Sequence, residues 1–290
     1  MMISVDTKLI ALLGNPLRQS LSTKMQNAAF RSRGLDYEYF PVETTEESLP
    51  AIVQGIRHMR FAGFGVTKPD KVAVMAHLDE LDEFAAKMGA VNTVVVESGG
   101  RLKGYNTDGE GFLRSLGEHF EKPLGESVFL CLGAGGAARA ICCSLGYRGA
   151  KKILVTSLFN SDSQALAGDI NKHFGTVASV IPWQDKEAIQ QGASGADVII
   201  NATGVGMGEH VDESPVDAGV FHPGMLAFDA AYNPAETKFL AQAKERGCKT
   251  LNGLGMLLYQ GAAQFEMWTG TCAPVDLMRE ILEESIGMKA

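Results

Sequence analysis

The stretch Val128-Phe-Leu-Cys-Leu-Gly-Ala-Gly-Gly-Ala-Ala-Arg-Ala140 decides the fold. Five apolar residues, a glycine turn and an alanine-rich run read as strand, turn and helix, and the turn spells Gly-x-Gly-x-x-Ala. In that context Gly133 permits the tight turn and Gly135 lets backbone amides approach a pyrophosphate. Ala138 lets the helix pack closely on the strand, with the helix N-terminus facing the phosphates. Gly133, Ala134, Gly135, Gly136 and Ala137 are therefore candidate cofactor-binding residues. A glycine turn that serves packing alone is the competing reading.

Outward from this turn the alternation continues. A helix is predicted from Asp108, and strands over Lys152 to Thr156, near Val177 to Ile181, over Asp197 to Asn201 and over Met225 to Asp229. Regular alternation at short spacing predicts an α/β protein whose second domain, residues 108–240, is a doubly wound Rossmann sheet. A nicotinamide-binding fold places an acid about 20 residues beyond the turn for the ribose hydroxyls, or an arginine for a 2′-phosphate. Here that place reads Val155-Thr-Ser-Leu-Phe-Asn160, and the first acid is Asp162. With no cation to clamp a phosphate, NAD is expected as cofactor and NADP is the alternative.

Residues 1–107 predict a first α/β domain, to which helices within 241–290 return, among them Leu257 to Trp268 and Val275 to Ser285. The apolar run Leu9 to Gly14, a turn, a helix from Ser22 and a strand from Tyr37 to Val42 open it. Ser22 is placed to cap that helix. A strand ends at Val66, Pro69 forces a loop, and Gly99-Gly100 turns one strand back on the next.

Polar groups recur at the expected strand ends: Ser20 and Ser22, Thr67 and Lys71, Asn92, Asp108, and Gln260. Catalytic residues often occupy such places. Each also has a bland reading, as cap, turn, solvated charge or helix-surface amide.

Composition narrows the class. The 290 residues are 46% hydrophobic and 21% charged, and 26 basic against 34 acidic side chains leave a net charge of −8. An acidic balance without basic clusters argues against nucleic acid or an anionic membrane as partner. No apolar run approaches the about 20 residues of a membrane helix, and a cytoplasmic protein is expected. Five cysteines without CxxC spacing suggest reduced thiols, and six scattered histidines suggest no metal site.

Taken together, GNPLRQSLS, MQNAAF, GVTKPDK, GAVNT, GYNTDGEGF, LGAGGAARA, NATGVGM, YNP and GLGMLLYQGAAQFEMWTG resemble the shikimate dehydrogenase family, specifically its quinate/shikimate branch. The resemblance implies an enzyme that reversibly oxidises the C3 hydroxyl of shikimate, or of quinate, with NAD or NADP, as a monomer or homodimer. It implies that Ser20 and Ser22 bind the substrate carboxylate, that Thr67, Asn92 and Gln260 surround the ring hydroxyls, and that Lys71 and Asp108 are the catalytic pair. Ser157, Thr203, Met207 and Gly253 would join the glycine turn on the cofactor. A regulatory paralogue without turnover and a dehydrogenase of an amino-substituted shikimate are the other readings.

Two departures from the family pattern stand out. Gln26-Asn27 replaces a common His-Asn, which favours a broader polyol acid substrate, and Gly65-Val-Thr67 replaces Asn-Val-Thr.

Overall fold

The computed structural model describes residues 3–288, so the expected outer bounds at residues 1 and 290 lie outside it. Two compact units divide the chain. One comprises residues 1–107 and 258–290, the other residues 108–257.

The first unit is built from β1 (Lys8–Gly14), α1 (Ser22–Ser32), β2 (Tyr37–Glu43), α2 (Leu49–His58), β3 (Gly63–Val66), β4 (Glu80–Leu81), α3 (Glu83–Met88), β5 (Thr93–Val96) and β6 (Leu102–Tyr105). Its sheet has the order β2-β1-β3-β5-β6-β4. β1 pairs parallel with β2 and β3, whereas β5 runs antiparallel to both β3 and β6. One face buries Ala11, Leu13, Val53, Ile56, Phe64 and Val94 in a common core. Two paired bonds pin α1 to β2: Asn27 Nδ2 donates to the Tyr39 carbonyl at 2.8 Å, and Tyr39 N donates to Asn27 Oδ1 at 2.8 Å.

The second unit runs α4 (Asp108–Gly117), β7 (Val128–Leu132), α5 (Gly136–Tyr147), β8 (Lys152–Thr156), α6 (Asn160–Phe174), β9 (Ala178–Val180), α7 (Lys186–Ser194), β10 (Val198–Asn201), β11 (Leu226–Asp229), α8 (Lys238–Glu245) and β12 (Lys249–Leu251). All its strands are parallel, in the order β9-β8-β7-β10-β11-β12. That is the dinucleotide-binding order, with its switch point between β7 and β10. Central strands covered on both faces are largely apolar, and β10 and β11 are buried at every position, including Asn201 and Asp229 at their ends. Leu130, Leu132, Ile199, Ala227 and Phe239 fill one face. On the other, Phe112 of α4 meets Phe228 edge-on at 4.9 Å.

The return to the first unit falls at Leu258 and not near residue 241. The physical reason is that β12 completes the second sheet by pairing with β11. Two helices follow, α9 (Leu254–Thr269) and α10 (Val275–Ser285). Trp268 of α9 donates its indole N–H to the Val94 carbonyl at 3.0 Å, directly over Gly63, where a Cβ would collide with the ring. All five cysteines are free thiols. Among the described residues no helix is long and apolar enough to cross a membrane, and no group of three ligating side chains could hold a metal.

Candidate active site

In the first unit the polar residues gather at the C-terminal ends of β1 and β3. The turn after β1 brings Ser20 and Ser22 to the start of α1, where both are half-buried. Ser22 is the first residue of the helix, the cap position belongs to Leu21, and the Ser22 N–H donates to Ser20 Oγ at 3.4 Å. The expected cap is therefore corrected: a residue already in helical geometry cannot fold its hydroxyl back onto the first-turn amides as a preceding residue can.

Thr67 follows β3, its backbone N–H bonded to the Leu13 carbonyl at 2.8 Å. The loop from Thr67 to Lys71 is held from inside by Asp70, which is 3% exposed. The Asp70 carboxylate accepts from the Thr44 hydroxyl, and the Asp70 N–H donates to the Thr67 carbonyl at 3.0 Å, which closes the turn. Lys71 is half-buried, and its carbonyl accepts from Val91 N at 2.8 Å.

Asn92 comes next in the chain and is 2% exposed. Its side chain is not a turn-former. Oδ1 accepts from Thr107 N at 2.8 Å and from Thr93 Oγ1 at 2.7 Å, while Nδ2 donates to Thr107 Oγ1 at 2.9 Å. Asn92 thus fixes the backbone at Thr107, and Asp108, half-buried, is the next residue and the first of α4. Gln264 on α9 donates to the Asn92 carbonyl at 3.1 Å and to Thr93 Oγ1 at 3.0 Å. Gln260, 8% exposed, lies one turn earlier on the same face of that helix, so it is not a surface amide. Gln26 is fully buried and donates to the Gly261 carbonyl at 2.9 Å. Its amide ties α1 to α9, a structural use that leaves the substrate inference drawn from it without support.

Gly65, the other departure, is explained by a neighbour. A Cβ there would stand 2.8 Å from the Tyr39 hydroxyl, which is buried without a partner and raised above its ordinary pKa by burial.

In the second unit the cofactor candidates line the C-terminal ends of β7, β10 and β11. Gly133 has φ +110°, its N–H donates to the Thr156 carbonyl at 2.7 Å, and a Cβ would press on Ala202 O at 2.7 Å. Only glycine fits that close approach of turn and loop. Gly135 caps α5 in an extended conformation, and open space surrounds the Cβ positions of Gly135 and Gly136. Gly135, Gly136 and Ala137 are exposed and Ala134 is half-buried, while Ala138 is fully buried against the sheet. An uncovered helix start with buried packing behind it fits a dinucleotide pyrophosphate.

Thr203 begins the loop after β10. Its N–H and hydroxyl both donate to Asn201 Oδ1, at 3.1 and 2.7 Å, and its hydroxyl accepts from Val205 N at 3.1 Å. Met207 is 38% exposed on that loop. Gly253 is buried against Ala230, where a Cβ would collide, and donates to Ala231 O at 2.8 Å. Asp229, at the end of β11, is raised in pKa by burial, an effect opposed by its bonds from Thr237, Ala231 and Asn201. Burial raises Tyr232 as well.

Ser157 is the exception among the cofactor candidates. Its hydroxyl turns inward, donating to Phe159 O at 2.8 Å and meeting Ser163 Oγ at 2.7 Å. It holds the start of α6. The neighbours that face outward are Leu158 and Phe159, 62% and 66% exposed.

Sequence reasoning missed Asp70, Thr107 and Gln264, which position others. Thr107 and Asp70 had a signal, since they stand inside the Asn-Thr-Asp-Gly run that singled out Asp108 and the Thr-Lys-Pro-Asp-Lys run that singled out Thr67 and Lys71.

Residues 12–94 match the family model described as shikimate dehydrogenase substrate binding domain, and residues 253–283 match that of the shikimate 5′-dehydrogenase C-terminal domain. The chain is 42% identical to the shikimate dehydrogenase (NADP(+)) of Moorella thermoacetica, over 98% of this chain and 96% of that one. The structure is similar to shikimate 5-dehydrogenase from Listeria monocytogenes in complex with shikimate and NAD, with TM-score 0.93 and 38% identity over 97% and 98% of the two chains. It is also similar to quinate dehydrogenase from Corynebacterium glutamicum in complex with NAD, with TM-score 0.88 and 31% identity over 96% and 99%.

Proposed function

The chain belongs to the shikimate dehydrogenase family and is an NAD(P)-dependent oxidoreductase of shikimate; on that premise we propose that Lys71 and Asp108 move the proton, that Ser20 and Ser22 hold the substrate carboxylate, and that NAD is preferred. The observation that carries the first of these is the bonding around Asn92. Val91 binds the Lys71 carbonyl, and Asn92 binds Thr107, the residue before Asp108. One hydrogen-bonded stretch therefore governs the backbone positions of both.

A nicotinamide, when bound, would supply the hydride chemistry at the carbon that bears the reacting hydroxyl. The proton on that hydroxyl is the protein's concern. During oxidation Lys71 Nζ takes it, and during reduction the Lys71 ammonium gives it to the carbonyl oxygen. Asp108 supplies the carboxylate that orients the exchange, so the two act as one unit. Two serine hydroxyls at the start of α1, with the helix dipole behind them, donate to the substrate carboxylate without adding a full charge. Binding energy spent there orients the ring. Thr67, Asn92 and Gln260 are the remaining residues proposed to meet ring hydroxyls, and Thr203, Met207 and Gly253 to line the nicotinamide side.

The cofactor preference rests on the end of β8. From Ile153 to Asn171 no lysine or arginine occurs, and Lys151 and Lys152 stand at the opposite end of the strand. Arg139 is ion-paired with Asp169 at 2.9 Å. Leu158 and Phe159 offer an apolar face suited to adenine and no clamp for a 2′-phosphate. The Moorella relative carries NADP(+) in its name, which points the other way. Initial rates of the purified protein with shikimate and quinate, each with NAD and NADP, test the reading. Shikimate with NAD should give the highest kcat/KM, with quinate the weaker substrate. A tenfold preference for NADP would overturn the cofactor assignment, and no turnover of shikimate would overturn the function.

A further inference from the structure

Behind the loop that begins at Thr203 lies a buried carboxylate with no role in the chemistry. Asn201 and Asp229 end adjacent parallel strands in direct register, and each is 1% exposed. Asn201 Nδ2 donates to Val205 O at 3.0 Å and to Asp229 Oδ2 at 3.0 Å, while its Oδ1 takes both Thr203 donors. Thr203 N can only donate and Val205 O can only accept, so the orientation of the Asn201 amide is settled by chemistry. Asp229 Oδ2 also accepts from Thr237 Oγ1 at 2.6 Å, and Oδ1 accepts from Ala231 N at 2.9 Å. None of these partners is cationic.

A carboxylate is a costly group to bury without a cation. What it supplies here is acceptance on both oxygens with no hydrogen of its own. An amide of the same shape would set an N–H against a neighbouring donor, at Ala231, at Asn201 or at Thr237. The Asn201 amide would then gain by turning over, which would put its oxygen toward Asp229's position and release both Thr203 donors and the Val205 carbonyl.

We propose that Asp229 is a positioning residue for the cofactor: through Asn201 it sets the Thr203–Val205 turn that the proposed function places on the nicotinamide side. The inference rests on that placement of Thr203 and Met207. Asp229 is buried behind that turn, and its carboxylate also holds Ala231 N and Thr237 Oγ1.

The experiment is calorimetric titration of NAD into wild type and Asp229→Asn, with the shikimate KM and the melting midpoint measured beside it. The expected result is a tenfold or greater rise in the NAD Kd with the shikimate KM changed less than twofold. In the exchanged pair Asn201→Asp/Asp229→Asn, a carboxylate at 201 accepts both Thr203 donors and the amide at 229 supplies the bond between strands, while the Val205 carbonyl loses its donor, so recovery is partial. That pair should recover at least threefold of the lost affinity. A folded Asp229→Asn protein with wild-type NAD affinity would overturn the proposal, as would equal weakening of both ligands or an exchanged pair no better than the single variant. Should Asp229→Asn fail to fold, Thr237→Val removes one donor to the same carboxylate, and it must show the same cofactor-selective loss at about threefold. Wild type that binds NAD and oxidises shikimate while these variants behave like it contradicts only the role of Asp229. Wild type that does neither contradicts the function itself.

Discussion

Two pairs of glycines, one in each unit, are used in opposite ways. In the first, Gly63 and Gly65 are roofed by aromatic side chains, the indole of Trp268 and the hydroxyl of Tyr39. In the second, Gly135 and Gly136 face open space at the start of α5. The same missing Cβ serves core packing in one place and leaves room for a ligand in the other. A parallel contrast holds for the polar groups. The first unit orders its candidate site through side-chain bonds, Asn92 to Thr107 and Asp70 to Thr44, whereas the glycine turn of the second is backbone alone. The lesson is that substrate chemistry should depend on which side chains are present, and the pyrophosphate turn on which are absent.

The largest effect expected from that contrast is on turnover. Lys71→Ala and Asp108→Asn should each lower kcat by about 10²–10⁴, the usual worth of positioned acid-base groups. Combined, they should cost little more than the worse of the two, because a unit once broken loses little further. Multiplied losses in steady-state kinetics would separate the pair.

Next in size is the carboxylate site. If Ser20 and Ser22 hold the substrate carboxylate, replacing either by Ala should remove a hydrogen bond to a charged group, about 1.5–3 kcal/mol, or roughly a 10- to 100-fold rise in the KM for shikimate. Cofactor KM should stay constant. Because Ser22 caps nothing, its loss should leave the melting midpoint unchanged, and a falling midpoint would give the serine a structural role.

The smallest effect concerns a roofed glycine. Gly65→Ala should destabilise by about 1–3 kcal/mol, since its methyl would meet the Tyr39 hydroxyl in a filled core. Tyr39→Phe removes a hydroxyl that has no partner, so the double variant should recover most of that loss in denaturant unfolding. Additive losses would show that the two do not share the space.

Much of this was legible in the chain. The Gly133 turn, its place after an apolar run and the spacing of the later strands were enough for the parallel sheet, because strand burial on both faces favours largely apolar segments. Helix α10 is bounded by Val275 and Ser285 in sequence and structure alike. Helix α6 was not legible, since Asn160–Phe174 is largely polar and buries only Ser163, Leu166, Ala167 and Ile170. The antiparallel pairing of β3 with β5 was hidden too, because it joins segments that no short turn connects. At the candidate site the residue types could be read, but their partners could not. Nothing near Asp70 announces Thr44, 26 residues away, and nothing in Ser-Leu-Phe says that the Ser157 hydroxyl turns inward.

The central claim, that proton chemistry and cofactor binding are carried by different means in different places, is tested most directly by calorimetric titration of NAD into Lys71→Ala and Gly133→Ala, with kcat measured on the same preparations. Lys71→Ala should bind NAD within twofold of wild type while its kcat falls at least a hundredfold. Gly133→Ala, strained at φ +110° and pressed on Ala202, should lose NAD affinity at least tenfold. Wild-type NAD binding by Gly133→Ala, or a loss of NAD affinity in Lys71→Ala that matches its loss of turnover, would contradict the account.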